Sequence, residues 1–411
     1  MNTRKIQWRK PEGKENFSIA IAGDFCPREA NCADVTARAY EITAPLKPFF
    51  DSCDMKVLQW ECTVTKQDTP IDKSGPNHRC YPECAVFAEA LGIDTVLLAN
   101  NHTGDYGKPG IEDTLRTFAE RGIRTVGAGM NEEEAAKPLF VEYNGLKTAI
   151  INAAEYEFGM ACGNTAGCNP LDPFAIASSI QEARMEADLV ILALHGGHEH
   201  YPFPSPRMRD LFRFFADMPF GADIVFNCHT HCPLGYEIYN NVPIIYSPGN
   251  FYFPGRPTSP GNWFTGYLPK FHLDAQGAYA MELLPYFNCQ AGLQTMDKEE
   301  SRGFFAYLDT LCAPLDNKEE LQKLFDIWCA GSGFLNSFFE RKRPQDLQKR
   351  EDVAANLGLR NFFTCQSHND LVRNSLLLME QYKLLPAEKD FPLIQTLQNP
   401  SFKGMERVIP K

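Results

Sequence analysis

Between Phe17 and about Pro285 the sequence alternates short apolar, β-rich runs with stretches of helical periodicity. Five of the β-rich runs stop on a group that can bind a metal or carry a proton. "FSIAIAGD" ends in Asp24, and "KVLQWE" ends in Glu61. "TVLLANNH" runs into Asn101 and His102, "DLVILALH" stops at His195, and "ADIVFNCHTH" closes on His229 and His231. Strands alternating with helices predict an α/β fold built as a layered sandwich. In open α/β sheets ligands bind beyond the carboxyl ends of the strands. One histidine at such an end is usually a hydrogen-bonded structural residue. Five strand ends carrying such groups point to a site.

The intervening segments agree. "CAVFAEALG", "GIEDTLRTFAERG" (closed by Gly122), "IQEARMEA" and "PRMRDLFRFFADMPFG" read as helices, and "IRTVGAG" as a short strand. Asn144-Gly145 and Asn240-Asn241 are turn dipeptides between β-rich runs and predict hairpins. After about residue 290 β character fades and helical periodicity takes over. The expected division is therefore a domain over 1–290 and a helical C-terminal region over 291–411. Within the latter, "LFDIWCAGSGFLNSFF" has more large apolar residues than one amphipathic face needs. It is expected to pack on the sandwich, covering part of the cleft, or on a second copy in a homo-oligomer.

Composition narrows the function. Of 411 residues, 44% are hydrophobic and 22% charged, as in an ordinary globular protein. A net charge of −12 argues against nucleic acid as a partner. The basic start "MNTRKIQWRK" is followed by no apolar run long enough for a signal peptide or a span, so the expectation is a cytoplasmic chain without a membrane anchor. The 14 cysteines form no C-x-x-C, the nearest pairs being Cys80 with Cys84 and Cys228 with Cys232. Two spaced ligand pairs for a zinc finger cannot be assembled, and reduced, mostly buried thiols are expected. "GMACGNTAGC" lacks the Lys-Ser/Thr of a P-loop, and no G-x-S-x-G elbow occurs.

Carboxylate, amide oxygen and imidazole together suit zinc, manganese or iron(II) better than calcium or an iron–sulfur cluster. The set is large enough for two divalent metal ions, and a carboxylate such as Glu61 can bridge them. A pair of ions can generate hydroxide and clamp the oxygens of a displaced group, which is metal-assisted hydrolysis.

The blocks "GDF", "QWECTVT", "LLANNHTGDYGKPGIEDTL", "VGAG", "LHGGHEHYPFPS", "GADIVFNCHTH" and "YEIYNNVPIIYSPGNF" run in order from about Ile19 to Phe253. In that order they resemble the CapA family, poly-γ-glutamate capsule-synthesis proteins related to the calcineurin-like metallophosphoesterases. The resemblance implies a metallophosphoesterase-like α/β/β/α sandwich. It would place Asp24 and His231 on a first metal, Asn101, His195 and His229 on a second, and Glu61 between them. His102 would face substrate as a general acid, oriented by Asp105. Glu199 matches an acid of the family, and His198 and His200 beside it would contact substrate. Two features depart from the pattern. Metallophosphoesterases usually begin D-x-H, whereas Cys26 follows Asp24 here, a residue that could serve as a soft ligand. Capsule-synthesis members also commonly carry an N-terminal anchor.

Two functional readings remain open on the sequence. One is a two-metal hydrolase of a phosphoester or a γ-glutamyl amide. The other is a non-catalytic, metal-containing accessory or binding protein of polyglutamate or cell-envelope biosynthesis. The Asn101, His102 and Asp105 set favours the enzyme, because a purely structural metal needs no acid beside it. Either a small molecule or a polyanion could be the substrate, and Arg207, with Arg209, Lys73, His78 and Arg79, supplies cations to meet it.

Overall fold

The strand Leu189–His195, LVILALH, is buried at every position, so it must be covered on both faces. Its side chains alternate between two cores. Leu189, Ile191 and Ala193 join a core shared with a second sheet, whereas Val190, Leu192 and Leu194 meet the helices Pro173–Arg184 and Pro206–Asp217. This pattern, read from a computed structural model that describes residues 1–13, 16–289, 291–340, 349, 353 and 356–409, runs through the whole sandwich.

The sheet holding Leu189–His195 has six strands, in the order Tyr236–Tyr239, Val242–Ile245, Ile224–Cys228, Leu189–His195, Leu146–Ala154 and Leu139–Tyr143. Its four inner strands run parallel and its two edges are hairpin partners. Both hairpins turn as their dipeptides require, with Asn144, Gly145, Asn240 and Asn241 all at positive φ.

The facing sheet has nine strands, with Asn16–Phe25, Met55–Trp60, Thr95–Leu97 and Arg124–Val126 parallel to one another. Helices Cys32–Thr43, Val86–Leu91 and Gly107–Ala119 pack against it through Val35, Ile42, Phe87, Leu91 and Phe118. The result is a mixed α/β layered sandwich.

Several details differ from the sequence expectation. "IRTVGAG" divides: Arg124–Val126 stays in the large sheet, while Ala128–Gly129 pairs with Gly167–Cys168. The helix of "IQEARMEA" begins earlier, at Pro173, where the Asp172 side chain accepts from the amides of Phe174 and Ala175. A long hairpin, Thr265–Asp274 with Gly277–Cys289, is absent from the sequence expectation and completes the large sheet. Pro269 is tolerated there because pairing with Asn16–Phe25 begins one residue later, at Lys270 opposite Ala20.

The strand Gly292–Thr295 still belongs to the large sheet, and the C-terminal helices begin at Lys298 behind a capping box of Asp297 and Glu300. Phe304 and Leu308 enter the main core. Leu321, Leu324, Phe325 and Trp328 form a third core with Tyr201 and Phe203 of the sandwich, where Tyr201 stacks on Trp328 at 5.3 Å. The apolar tail segment thus packs on the sandwich. Among the described residues no helix is long and apolar enough to cross a membrane.

One contact fixes the strand end that carries Asp24. A Cβ on Gly23 would lie 2.2 Å from the carbonyl oxygen of Gly249, so strand and loop touch backbone to backbone. Gly23→Ala is expected to cost about 1–3 kcal/mol, since no side chain can move aside. A fall in the urea midpoint would register it; an unchanged midpoint would show that the loop yields freely.

Candidate functional site

The carboxyl ends of the parallel strands of both sheets meet at one place. Asp24 closes Asn16–Phe25 and Glu61 follows Met55–Trp60; opposite them His195 ends Leu189–His195 and His229 follows Ile224–Cys228. All are buried. Glu61, His195 and His229 bring one ligand atom each within 4.8 Å of one another, and so do Asp24, Glu61 and His231. Glu61 belongs to both groups. Asn101 joins the first, its Oδ1 lying 3.1 Å from His195 Nε2. All six residues expected to hold metal are therefore together. Cys26 is in neither group; its amide donates to the Tyr252 carbonyl at 3.0 Å and its side chain is buried.

The His231 imidazole is turned by its second nitrogen. His231 Nδ1 sits 3.0 Å from Asn250 Oδ1, which leaves Nε2 toward Glu61 at 3.8 Å. Asn250 itself is fixed by donating to the carbonyls of His231 and Trp263. His229 points Nδ1 at His195 Nε2, 3.1 Å away, and its amide donates to Asp24 at 3.0 Å. The backbone is strained to achieve this: His229 has φ 100° and His231 φ 58°, values that β-carbon-bearing residues rarely adopt.

The electrostatics call for a cation. Burial pushes both carboxyls above their ordinary range, and for Glu61 the nearby Asp24 adds to the effect. Burial also pushes His195 and His231 down, the latter to about 3, so these rings are neutral and carry lone pairs. Asp24 Oδ1, both Glu61 oxygens and His195 Nδ1 are buried without a hydrogen-bond partner. Uncompensated carboxylates are expensive in such surroundings. Oxygen and nitrogen donors of this kind, orphaned and convergent, fit divalent metal ions.

Beside these groups stands His102. Asn100 shapes the turn that presents it, accepting from the amides of His102 at 3.0 Å and Thr103 at 2.8 Å. Asp105 Oδ2 lies 2.7 Å from His102 Nδ1, leaving Nε2 for the cleft. Asp105 also takes the Lys73 ammonium and the His78 amide. Burial, followed by Lys73, pushes the His102 imidazole well down, which makes it neutral at rest. Burial lifts Asp105 to about 6, with Lys73 pulling the other way.

The groups open into a cleft of about 630 Å³. His198, Glu199 and His200 all border it, with the Glu199 side chain about half exposed (48%). His198 is tied by Nε2 to the Ser367 carbonyl at 3.0 Å. The cations behave differently from the sequence expectation. Arg207 is bound to Glu155 and Asp370 and is not among the cleft-lining residues. Arg209 donates to the Leu315 carbonyl, and Arg79 pairs with Glu29 and Asp68. Lys73 and His78 do line the cleft as expected, Lys73 with its ammonium on Asp105, and Arg28 and Arg256, which the sequence expectation lacks, line it as well. Arg28 has φ 57°, lies over the Phe253 ring at 4.8 Å, and leaves its Nε without a partner. Among the described residues no carboxylate pairs with either guanidinium. Trp328, Phe334, Asn361 and His368 of the C-terminal helices complete the wall. Trp328 and Phe334 belong to the apolar segment "LFDIWCAGSGFLNSFF" that the sequence expects over part of the cleft.

Comparison with known proteins places this geometry. The family model for the bacterial capsule synthesis protein PGA_cap matches residues 18–255. Over 244 residues the chain is 32% identical to the PGA biosynthesis protein CapA of Bacillus subtilis (strain 168), covering 58% of this chain and 63% of that protein. It is 30% identical over 256 residues to the capsule biosynthesis protein CapA of Bacillus anthracis, covering 60% and 61%. The chain thus spans 63% and 61% of these curated relatives' length. Among solved structures, a Staphylococcus aureus protein assigned as a 5′-nucleotidase, in complex with alpha-ketoglutarate, aligns with a TM-score of 0.43 at 13% identity, covering 76% of this chain and 59% of that one. With well over half its length matched by the family model, the chain belongs to the CapA (PGA_cap) family, which is linked to poly-γ-glutamate and capsule synthesis.

Proposed function

We propose that this chain is a metal-dependent hydrolase of the polyglutamate or capsule system, cleaving a phosphoester or a γ-glutamyl amide bond. The observation that carries the reading is the His102–Asp105 pair set beside two ligand groups that share Glu61. A site built only to hold metal has no use for a buried, oriented imidazole facing its cleft.

Asp24, Glu61 and His231 would hold one divalent ion, and Glu61, Asn101, His195 and His229 a second; zinc, manganese and iron(II) suit the donors. Ions held by these residues would contribute Lewis acidity and activate water at neutral pH. The chain's own residues do the rest. Asp105 keeps the proton of His102 on Nδ1, so Nε2 is the atom that exchanges a proton with the reacting group. Lys73 balances the Asp105 charge and holds the Asn101 carbonyl at 3.0 Å, locking ligand and proton carrier into one turn. Arg28 and Arg256 receive an anionic part of the substrate away from the bond that breaks, with His198, Glu199 and His200 around it.

His102→Ala is expected to keep wild-type metal content while kcat falls by about 10²–10⁴-fold. His229→Ala is expected to lose metal and turnover together, because it removes a ligand. Metal stoichiometry and turnover on both variants, screened against phosphoesters and γ-glutamyl peptides, separate the outcomes. Turnover unchanged by His102→Ala would remove His102 from the chemistry, and a wild type that holds metal but turns over neither substrate class would favour the accessory, non-catalytic reading.

The two arginines give a separate expectation. In the double variant Arg28→Gln, Arg256→Gln, KM for a substrate carrying a second anionic group should rise about tenfold or more, as when charge-assisted contacts of roughly 1.5–3 kcal/mol are lost. KM for p-nitrophenyl phosphate, which carries no such group, should stay near the wild-type value. Equal rises for both would assign the arginines to the reacting group itself.

A further inference from the structure

The loop after the strand Leu146–Ala154 is held at three successive residues by the C-terminal helices. Glu155 accepts from the Ser367 amide at 3.3 Å and is bound by Arg207, which also pairs with Asp370. The Tyr156 amide donates to Gln366 Oε1 at 3.0 Å. The Glu157 carbonyl accepts from Arg360 Nη1 at 2.9 Å. Residues 360, 366 and 367 lie more than a hundred positions beyond the family-matched segment, which ends at 255.

What this clamp holds in place is the Glu157 side chain. Its Oε1 lies 3.5 Å from His229 Nε2. His229 already directs Nδ1 at His195 Nε2, so its outer nitrogen is the one that Glu157 meets. Glu157 is in neither group of convergent donors, and it borders the cleft. A carboxylate on the outer nitrogen of a metal-binding histidine fixes the ring's tautomer and orientation and raises its basicity as a ligand.

We infer that Glu157 is a positioning residue for His229 and that the C-terminal helices set the affinity of the second ion site through it. The inference rests on the two-ion reading above. The tail then has a task besides covering apolar surface: it holds the loop Glu155–Glu157 at the height where Glu157 meets the ring.

Competition with a chelator, titrating zinc and then cobalt with its absorption spectrum followed, measures both sites without turnover. Glu157→Gln is expected to weaken one of the two ions by about 10–100-fold and leave the other unchanged. Gln366→Ala should weaken the same ion by about 3–10-fold. In the double variant the loss should not exceed that of Glu157→Gln alone, because the tail acts through Glu157. Arg360→Ala, changed at an exposed side chain, repeats the test should Gln366→Ala fail to fold. Two ions bound by wild type and equally well by all variants would overturn this inference alone. So would losses that multiply in the double variant. A wild type that binds no ion would overturn the metal reading and this inference with it.

Discussion

Two buried carboxylates, Asp24 and Glu61, which form no ion pair with a lysine or arginine among the described residues, govern how the rest of this molecule is arranged. Each sits at the end of an apolar strand, and both face the neutral imidazoles of His195 and His231. Anionic groups cannot be kept in such surroundings without a compensating charge. Bringing the two sheets together at their carboxyl edges supplies histidines from one sheet to carboxylates from the other. The fold thereby creates both the demand for a cation and the donors that meet it. The cost appears in the backbone, where His229 and His231 are held at positive φ. That strain persists because the His229 amide is fastened to Asp24 and because Asn250 grips both the ring and the carbonyl of His231.

Around this centre the ionisable side chains divide into those already satisfied and those left facing the cleft. Lys73 is 4% exposed and pairs with Asp105, which is 1% exposed, so its charge is spent on holding the His102 turn. Arg207 is spent on Glu155 and Asp370, and joins sandwich to tail. Arg28 and Arg256 are the cations that the cleft retains. In a chain with a net charge of −12, two guanidiniums with no acidic partner among the described residues stand out against the general field.

Much of the site was legible in the sequence because polar residues stop apolar runs, and such stops are visible without a fold. Asp24, Glu61, Asn101, His195, His229 and His231 were found this way, and the three-residue step from His102 to Asp105 is a local geometry. Less legible are residues that meet the far side of a candidate ligand. Asn250 and Glu157 touch the outer nitrogens of His231 and His229 across 19 and 72 positions of sequence, and nothing local marks them. The partners of the arginines are illegible for the same reason, since Arg207 meets groups 52 and 163 residues away. The long hairpin Thr265–Cys289 escaped because "GAYAMELLPYF" is rich in Ala, Met, Glu and Leu. Such residues favour helices in isolation, and here pairing with Asn16–Phe25 and its neighbour decides the matter.

The division between the family-matched segment and the remainder follows a chemical line. Every residue in the two convergent groups, together with His102 and Asp105, falls within 18–255. Beyond that segment come Arg256 and Trp263 and then Trp328, Phe334, Asn361, His368 and Leu371, which border the same cleft. Aromatic, amide and aliphatic side chains predominate here, suited to shaping and selecting an occupant rather than to holding metal. The tail is joined to the ligand-bearing layer at His198, Glu155, Tyr156 and Glu157, all within the family-matched segment and all near the strand ends. A helical region attached only by apolar contact could drift by an ångström without consequence. One pinned by hydrogen bonds to three successive loop residues cannot, because any movement is passed directly to the carboxylate that faces His229.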